Sequence, residues 1–398
     1  MASFSCSCET GLSGEQVRGD VWMGYLPTSV PLKLVFSSNL DGMYGESTRA
    51  MLLKLCASAG LDSGVLTVKD KGAYPFVIRA RLESLLRKAS NNHEIVVAPE
   101  APLSGHVKEP VPQPERLRRS RLYLPGNQAK YMLNAALYSP DSVILDLEDS
   151  VAASAKEDAR SMVRHGLLSL DFADCERMIR VNQGEAGVAD LLALDDAPFE
   201  LILIPKVERV EDVLVIANAA PGKLLMPIIE SARGVLAADE IAGSHQQVVA
   251  LTLGLEDLTA DLGVVKTAAG AETLFARSMV VYAAKAHGLQ AIDSVYGDVD
   301  DEVGLRASVR EAKSLGFEGK GCVHPRQISV VHEEFAPTVD ELERAHEIVD
   351  AFEEAEANGL GVVSLGSKMI DPPVVKRAMQ LVRQAEHQSG TTAGSANR

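Results

Sequence analysis

Cysteine is sparse and unpatterned in this sequence. The five residues Cys6, Cys8, Cys56, Cys175 and Cys322 are scattered over 398 positions, whereas a secreted disulfide framework needs close pairs on a short chain. Reduced thiols are therefore expected. Long apolar runs are also missing. No stretch approaches the ~20 residues of a membrane span, and the opening MASFSCSCETGL has no apolar signal core, so a cytoplasmic protein is the expectation. Nor is there a basic excess. Lys and Arg total 39 against 55 Asp and Glu, a formal charge of −16, which argues against nucleic acid or an anionic membrane as the main partner. No G-x-G-x-x-G or Walker pattern follows a strand-like run, so neither dinucleotide nor P-loop chemistry is indicated. The nine histidines show no H-x-x-x-H spacing, so zinc is not indicated.

What is present suggests two or three domains. With 46% hydrophobic residues, the chain can build cores without disulfides or a structural metal. Pro102, Pro110, Pro112 and Pro114 crowd residues 96–118 and read as a semi-rigid linker. Residues 1–95 form a small α+β domain on this reading. LKLVFSS is strand-like, residues 48–59 have helical spacing, GVLTVKDKGAY reads as a strand and turn with Gly72 free to take an unusual angle, and FVIRARLESLLRKAS is a strand or helix end. The tail 386–398 is small, polar and expected to be disordered.

Residues 119–385 carry eight short apolar runs alternating with helical patterns. They are RLYLPG, SVILDLED, RMIRVN, LILIPKV, LLMPIIE, VVALTLGLED, LQAIDSVY and GKGCVHP. Eight such βα units predict an α/β fold, a (β/α)8 TIM barrel, whose chemistry sits at the carboxyl ends of the strands. Polar residues gather at those ends: Asp146, Glu148, Asp149, Arg180, Asn182, Lys206, Glu230, Glu256, Asp257, Asp293, Ser294 and His324.

A ring of carboxylates repels itself unless a cation sits among them. Glu230 and Asp257, read as ending neighbouring strands, are the pair placed to share one Mg2+, with Mn2+ able to substitute. Arg180 and Arg121 face the site as anion binders on this reading. The cluster Arg116, Arg118, Arg119 and Arg121 reads either as a phosphate site or as a solvated basic linker end.

The motifs RRSRLYLPGN, ILDLEDSV, IRVN, IPKVE, ESARGVLAADEIA, LGLEDL, GFEGKGCVHPRQI and GLGVVSLGSKMIDPPVVKRA resemble the citrate lyase β-subunit family of CoA-thioester lyases over residues 119–385. The resemblance implies a trimeric, Mg2+-dependent barrel that cleaves a 2-hydroxyacyl thioester by retro-Claisen chemistry, with citryl-CoA giving oxaloacetate and acetyl-CoA. It implies Glu230 and Asp257 as metal ligands, and Arg180 and Asp371 as catalytic residues. Substrate contacts are expected from Arg121, Arg180, Glu148, Asp149 and Lys206. Asp371 reaches a neighbouring subunit's site in that family, so a homotrimer or dimer of trimers is expected.

The stretch VKDKGAYPFVIRARLESLLRKAS is similar to the citrate lyase acyl-carrier γ-subunit. The serine that bears that family's prosthetic group aligns with Arg18, two residues before Asp20, so the carrier arm is expected to be lost. Three alternatives stay open: a citramalyl-CoA or malyl-CoA lyase, a carrier–lyase component acting with other citrate lyase subunits, and a non-catalytic scaffold. The last would predict loss of Glu230 and Asp257, and both are present.

Overall fold

In the computed structural model, described over residues 3–101, 107–267, 269–357, 363–365, 368–379, 381–382 and 385, the first elements form a four-stranded sheet under two helices. They are β1 (Cys8–Thr10), β2 (Val21–Pro31), β3 (Lys33–Ser38), α1 (Asp41–Ser58), β4 (Ser63–Asp70) and α2 (Pro75–Ser90), with sheet order β1-β2-β4-β3. Burial alternates along the start of β2. Val21, Met23 and Tyr25 enter the core while Trp22 and Gly24 stay half-buried, the period-2 pattern of a sheet with one covered face.

The segment after Tyr74, left open as strand or helix, is helix throughout. Pro75 supplies a fixed φ at the first helical position, and Ile78, Leu82, Leu85, Leu86 and Ala89 keep helical spacing. Asn91 ends it at φ +50°.

The eight apolar runs become eight parallel strands. These are β5 (Ser120–Pro125), β6 (Ser142–Asp146), β7 (Glu176–Arg180), β8 (Leu201–Ile204), β9 (Leu224–Ile229), β10 (Ala250–Leu253), β11 (Gln290–Asp293) and β12 (Gly319–Cys322). They close as β10-β11-β12-β5-β6-β7-β8-β9, the expected TIM barrel. Ile144, Met178, Leu201, Met226 and Ile292 fill its interior.

Two details differ from the sequence reading. β10 stops at Leu253, so Asp257 does not end a strand. It lies in the first turn of the helix that follows. The arginine cluster is neither a phosphate site nor a solvated linker end. Arg118 is buried on Glu176 at 2.7 and 2.8 Å, and Arg119 pairs with Asp141 at 2.8 Å. Arg116 donates to the Asp174 carbonyl. Carboxylates across the barrel's lower rim neutralise Arg118 and Arg119, so these two are unavailable to a ligand.

Helix α2 packs between its own sheet and α3 (Lys156–Ser169) of the barrel, which is why its polar residues are buried too. Thr10 and Lys88 reach Asp158 at 2.8 and 2.6 Å. Glu83 takes Arg164 at 3.0 Å and His165 at 3.1 Å. Burial alone would raise Glu83, yet His165 and Arg87 hold its carboxyl below the ordinary range. The small domain is thus docked on the barrel by a buried ionic network.

By contacts the chain divides into two compact units, Met1–Val331 and His332–Arg398. The second contains α4 (Val339–Ala357), an antiparallel pair β13 (Val363–Leu365) and β14 (Lys368–Ile370), and a helix over 372–379. Ala345, Ile348, Ile370, Val375 and Ala378 form its core. The expected disordered tail at 386–398 and Pro102 lie outside the described residues. Among the described residues no helix is long and apolar enough to cross a membrane.

Candidate active site

Strand ends deliver the polar groups to one mouth. Arg121, Tyr123 and Pro125 alternate along β5 on its inner face and line a cavity of about 370 Å3 with Asp146, Arg180 and Glu230. At the end of β7, Arg180 lies beside the end of β6. It forms a two-pronged pair with Asp146, Nε to Oδ1 at 2.7 Å and Nη2 to Oδ2 at 2.6 Å. Burial works against both charges. The pairing outweighs it, so Asp146 sits below its ordinary value and Arg180 above. The Arg180 guanidinium also lies 5.4 Å from the centroid of the Tyr123 ring, within cation–π range.

Arg121 is 1% exposed at the cavity floor. It donates to Thr252 Oγ1 at 2.7 Å and Met226 Sδ at 3.0 Å, and its Nε is buried without a partner. A buried guanidinium with an orphaned N–H and no carboxylate in hydrogen-bond contact is a place for a substrate anion.

On the opposite side, Lys206 joins three carboxylates. Its Nζ lies 2.6 Å from Glu148 and 3.2 Å from Asp149, and its backbone N–H donates to Glu230 Oε1 at 2.6 Å. That N–H is aimed by a left-handed backbone, φ +52° at Lys206, a conformation that costs a side-chain-bearing residue energy and persists where a site needs it. Burial raises Glu148 despite Lys206 and Arg180.

Glu230 follows β9 directly, and Asp257 sits in the first turn of the helix Leu255–Leu262. Both line a second groove of about 780 Å3 beside the mouth, and both also line the first. Burial pushes the Glu230 carboxyl up to about 8, opposed by the Lys206 N–H and reinforced by Asp257 and Glu148. Among the described residues no group of three or more His, Cys, Asp or Glu is arranged around one metal position. Two carboxylates with open space beside them suit Mg2+, which keeps waters and substrate oxygens as its remaining ligands.

The mouth therefore unites Arg121, Arg180, Glu148, Asp149, Lys206, Glu230 and Asp257. It does not gather every predicted residue. Asp293 is buried on Lys320 at 2.7 Å and Arg277 at 3.2 Å, whereas Glu256 does line the cavity while pairing with Lys266 at 2.6 Å. Asn182 holds the Leu147 carbonyl and Asp190. Asp371 belongs to the second unit, exposed before the helix over 372–379, where its carbonyl accepts the N–H of Val374.

Two contributors escaped the sequence reading. Tyr123 was detectable from period-2 alternation with Arg121 and Pro125. Gly254 was not. A Cβ there would lie 2.2 Å from Glu230 Oε2 and 2.8 Å from Glu230 Cβ, although its φ of −107° is ordinary.

Residues 119–325 match the family model described as HpcH/HpaI aldolase/citrate lyase, and residues 12–89 match the acyl-carrier model described as malonate decarboxylase delta subunit. The citrate lyase subunit beta of Haemophilus influenzae is 38% identical over 284 residues, covering 68% of this chain and 98% of that protein. A (3S)-malyl-CoA thioesterase of Cereibacter sphaeroides is 36% identical over 270 residues, covering 67% of this chain and 94% of that one. Among solved structures, the Mycobacterium tuberculosis protein CitE in complex with magnesium, acetoacetate and coenzyme A superposes with a TM-score of 0.59. It is 31% identical and covers 68% of this chain and 98% of its own. The citrate lyase beta subunit from M. tuberculosis complexed with oxaloacetate and magnesium gives 0.50 at 33% identity, covering 56% of this chain and 98% of its own.

Proposed function

Because the chain belongs to the HpcH/HpaI aldolase/citrate lyase family, we propose that it is a Mg2+-dependent carbon–carbon lyase of CoA thioesters that cleaves citryl-CoA to oxaloacetate and acetyl-CoA. The observation that carries this reading is the barrel mouth, where the Asp146–Arg180 fork and the Glu230–Asp257 pair line one cavity. The relatives named as citrate lyase β subunits, and the neighbour holding oxaloacetate and magnesium, support the substrate.

Mg2+ held by Glu230 and Asp257 would supply a Lewis acid for the substrate's carboxylate and hydroxyl oxygens. Arg121, at the cavity floor, binds a substrate carboxylate. Glu148, Asp149 and Lys206 contact the remaining polar groups. In the reaction the hydroxyl proton leaves and the hydroxyl carbon becomes the carbonyl of oxaloacetate. The electrons of the broken bond pass to the thioester fragment as an enolate. Arg180, fixed by Asp146 and Tyr123, stabilises the negative charge on that fragment's oxygen. Proton delivery to its carbon gives the acetyl thioester, and Asp371 is assigned that transfer from a neighbouring subunit. That assignment requires a homo-oligomer with shared active sites, which we take to be a homotrimer or dimer of trimers.

Residues 1–95 are taken as a carrier-like domain, 96–118 as a linker and 119–385 as the lyase, in the cytoplasm. Arg18 stands where a carrier serine is expected, and a guanidinium cannot form the phosphodiester. An adduct of prosthetic-group mass on the purified native chain would overturn that part. The similarity to the (3S)-malyl-CoA thioesterase makes malyl-CoA, with citramalyl-CoA, the runner-up substrate.

A coupled assay for oxaloacetate, pyruvate and glyoxylate on citryl-, citramalyl- and malyl-CoA decides among them. Oxaloacetate from citryl-CoA, abolished by EDTA, is expected, and Glu230→Ala or Asp371→Asn should lower the rate about 10²–10³-fold. Silence on all three thioesters would overturn the assignment.

A further inference from the structure

We propose that the small domain forms one wall of a binding site for the nucleotide phosphates of the CoA thioester, with Arg18 on that wall and Lys130 on the barrel's side. This rests on the CoA-thioester reading above. A cleft of about 540 Å3 lies between loop 12–20 of the small domain and Gln128, Ala129 and Lys130 of the barrel. Arg18 and Lys130 both line it and both are exposed. Among the described residues neither has a hydrogen-bond or ion-pair partner. Lys130 only stands 4.6 Å from the centroid of the Tyr131 ring.

Two carboxylates also line the cleft. Asp20 is buried and paired with Arg81 at 2.8 and 3.0 Å, so its charge is neutralised. Glu15 is exposed. The remaining balance is two unpaired cations against one carboxylate, a local positive region on a chain of net charge −16. Phosphate oxygens are the anions that such a pair of flexible cations recognises.

The loop is held at this place. Arg81 binds Asp20 and also donates to the Asn127 carbonyl at 3.2 Å, which ties the loop to the barrel segment that carries Lys130. Gly19 donates to the Lys71 carbonyl and Lys71 donates back to the Asp20 carbonyl, each at 3.0 Å. Gly19 itself has φ +69°, which a side chain would resist.

Position completes the argument. Pro125 lines the active-site cavity and Gln128 lines the cleft. Three residues of chain span at most ~11 Å, less than an extended pantetheine arm. The rims of the two cavities thus lie within the reach of such an arm, which is the span a thioester with its acyl group at the barrel mouth has to cover to bring its phosphates to the cleft.

The test uses the full chain and its Arg18→Glu and Lys130→Glu variants. Adenosine 3′,5′-bisphosphate, titrated calorimetrically, should bind the parent protein and bind each variant on the order of tenfold more weakly, the loss typical of one charge-assisted contact. KM for the CoA thioester should rise similarly, while KM for the matching pantetheine thioester, which lacks the nucleotide, should not. Equal bisphosphate affinity in parent and variants would overturn the proposal, as would parallel KM increases for both thioesters. If no CoA thioester is turned over, the substrate reading fails, and the bisphosphate titration still decides the cleft.

Discussion

Burial removes most of the solvent from Glu230, and Asp257 and Glu148 add like charge, so its proton is held up to about 8. The linkage follows in sign. A carboxyl raised on folding is more protonated in the folded chain, so its stabilisation is complete below its ordinary value of about 4.5 and is lost as pH climbs through about 8. Metal-free protein should therefore lose thermal stability between pH 5 and 8.5. Added Mg2+ should raise Tm more at pH 8.5 than at pH 6, because the ligand must be ionised to bind it. Glu230→Gln should flatten the slope, and an unchanged slope in that variant would place the titration elsewhere. Asp146 works in the opposite direction. Its lowered value means that its pairing with Arg180 is present above its ordinary 3.8 and lost only as pH falls below it. Gly254 supplies a separate test of the same carboxylate. Gly254→Ala keeps an allowed backbone but drives a methyl into Glu230 Oε2 and Cβ. Activity should fall at least about tenfold with weaker Mg2+ activation, since small misplacement of a reacting group is costly, while Tm should change by only a few degrees. A fully active variant would show that Glu230 need not sit where it does.

At the level of elements, β5 presents two faces with different jobs. Leu122 is 1% exposed and packs away from the cavity, whereas Tyr123 lines it under Arg180. Leu122→Ala should cost about 2–5 kcal/mol of stability as a cavity in a packed core, with KM and kcat close to the parent's at a temperature where it is folded. Tyr123→Leu should do the reverse, holding stability while lowering kcat/KM a few-fold through loss of the cation–π support, about 0.5–2 kcal/mol. Chemical denaturation and steady-state kinetics on the pair decide, and matching effects in both would remove the division of faces. This two-faced order is what made the barrel legible. Val-, Ile- and Leu-rich runs at regular spacing can be buried on both sides only as parallel strands, and their polar ends announce the mouth. The position of Asp257 was harder, because LGLED continues an apolar run without a break and only Gly254 marks where strand yields to helix. The arginines at 116–119 were misread for a related reason. A basic cluster is the same string of letters whether solvent or carboxylates such as Glu176 and Asp141 surround it, and those partners are 58 and 22 residues away. Gly254 itself acts through a close approach, which no periodicity encodes.

Across the whole molecule, the contact that no local pattern reveals is the seating of the small domain. Glu83 lies on α2 and its partners Arg164 and His165 lie on α3, separated by 81 and 82 residues. A proline-rich stretch between them suggests a swinging arm, yet the buried charges behave as a lock. Glu83 is fully buried, Arg87 lies 3.1 Å from it and Arg164 3.0 Å. Removing that carboxylate leaves Arg164 paired with Asp196 at 2.5 Å and Arg87 with Glu157 at 3.4 Å but takes away the buried partner both share, and breaking a buried pair costs up to about 3–5 kcal/mol. The single tryptophan, Trp22, is on β2 of the small domain, so its fluorescence follows that domain alone, while far-UV circular dichroism is dominated by the barrel. In the parent protein the two signals should change together on urea unfolding, as one cooperative unit requires. In Glu83→Ala the Trp22 transition should move to lower urea and separate from the dichroism transition. The small domain then loses its seat before the barrel melts, and the loop bearing Arg18 goes with it. Coincident transitions in Glu83→Ala at the parent midpoint would mean that apolar packing of α2 on α3, and not the ionic network, holds the two together.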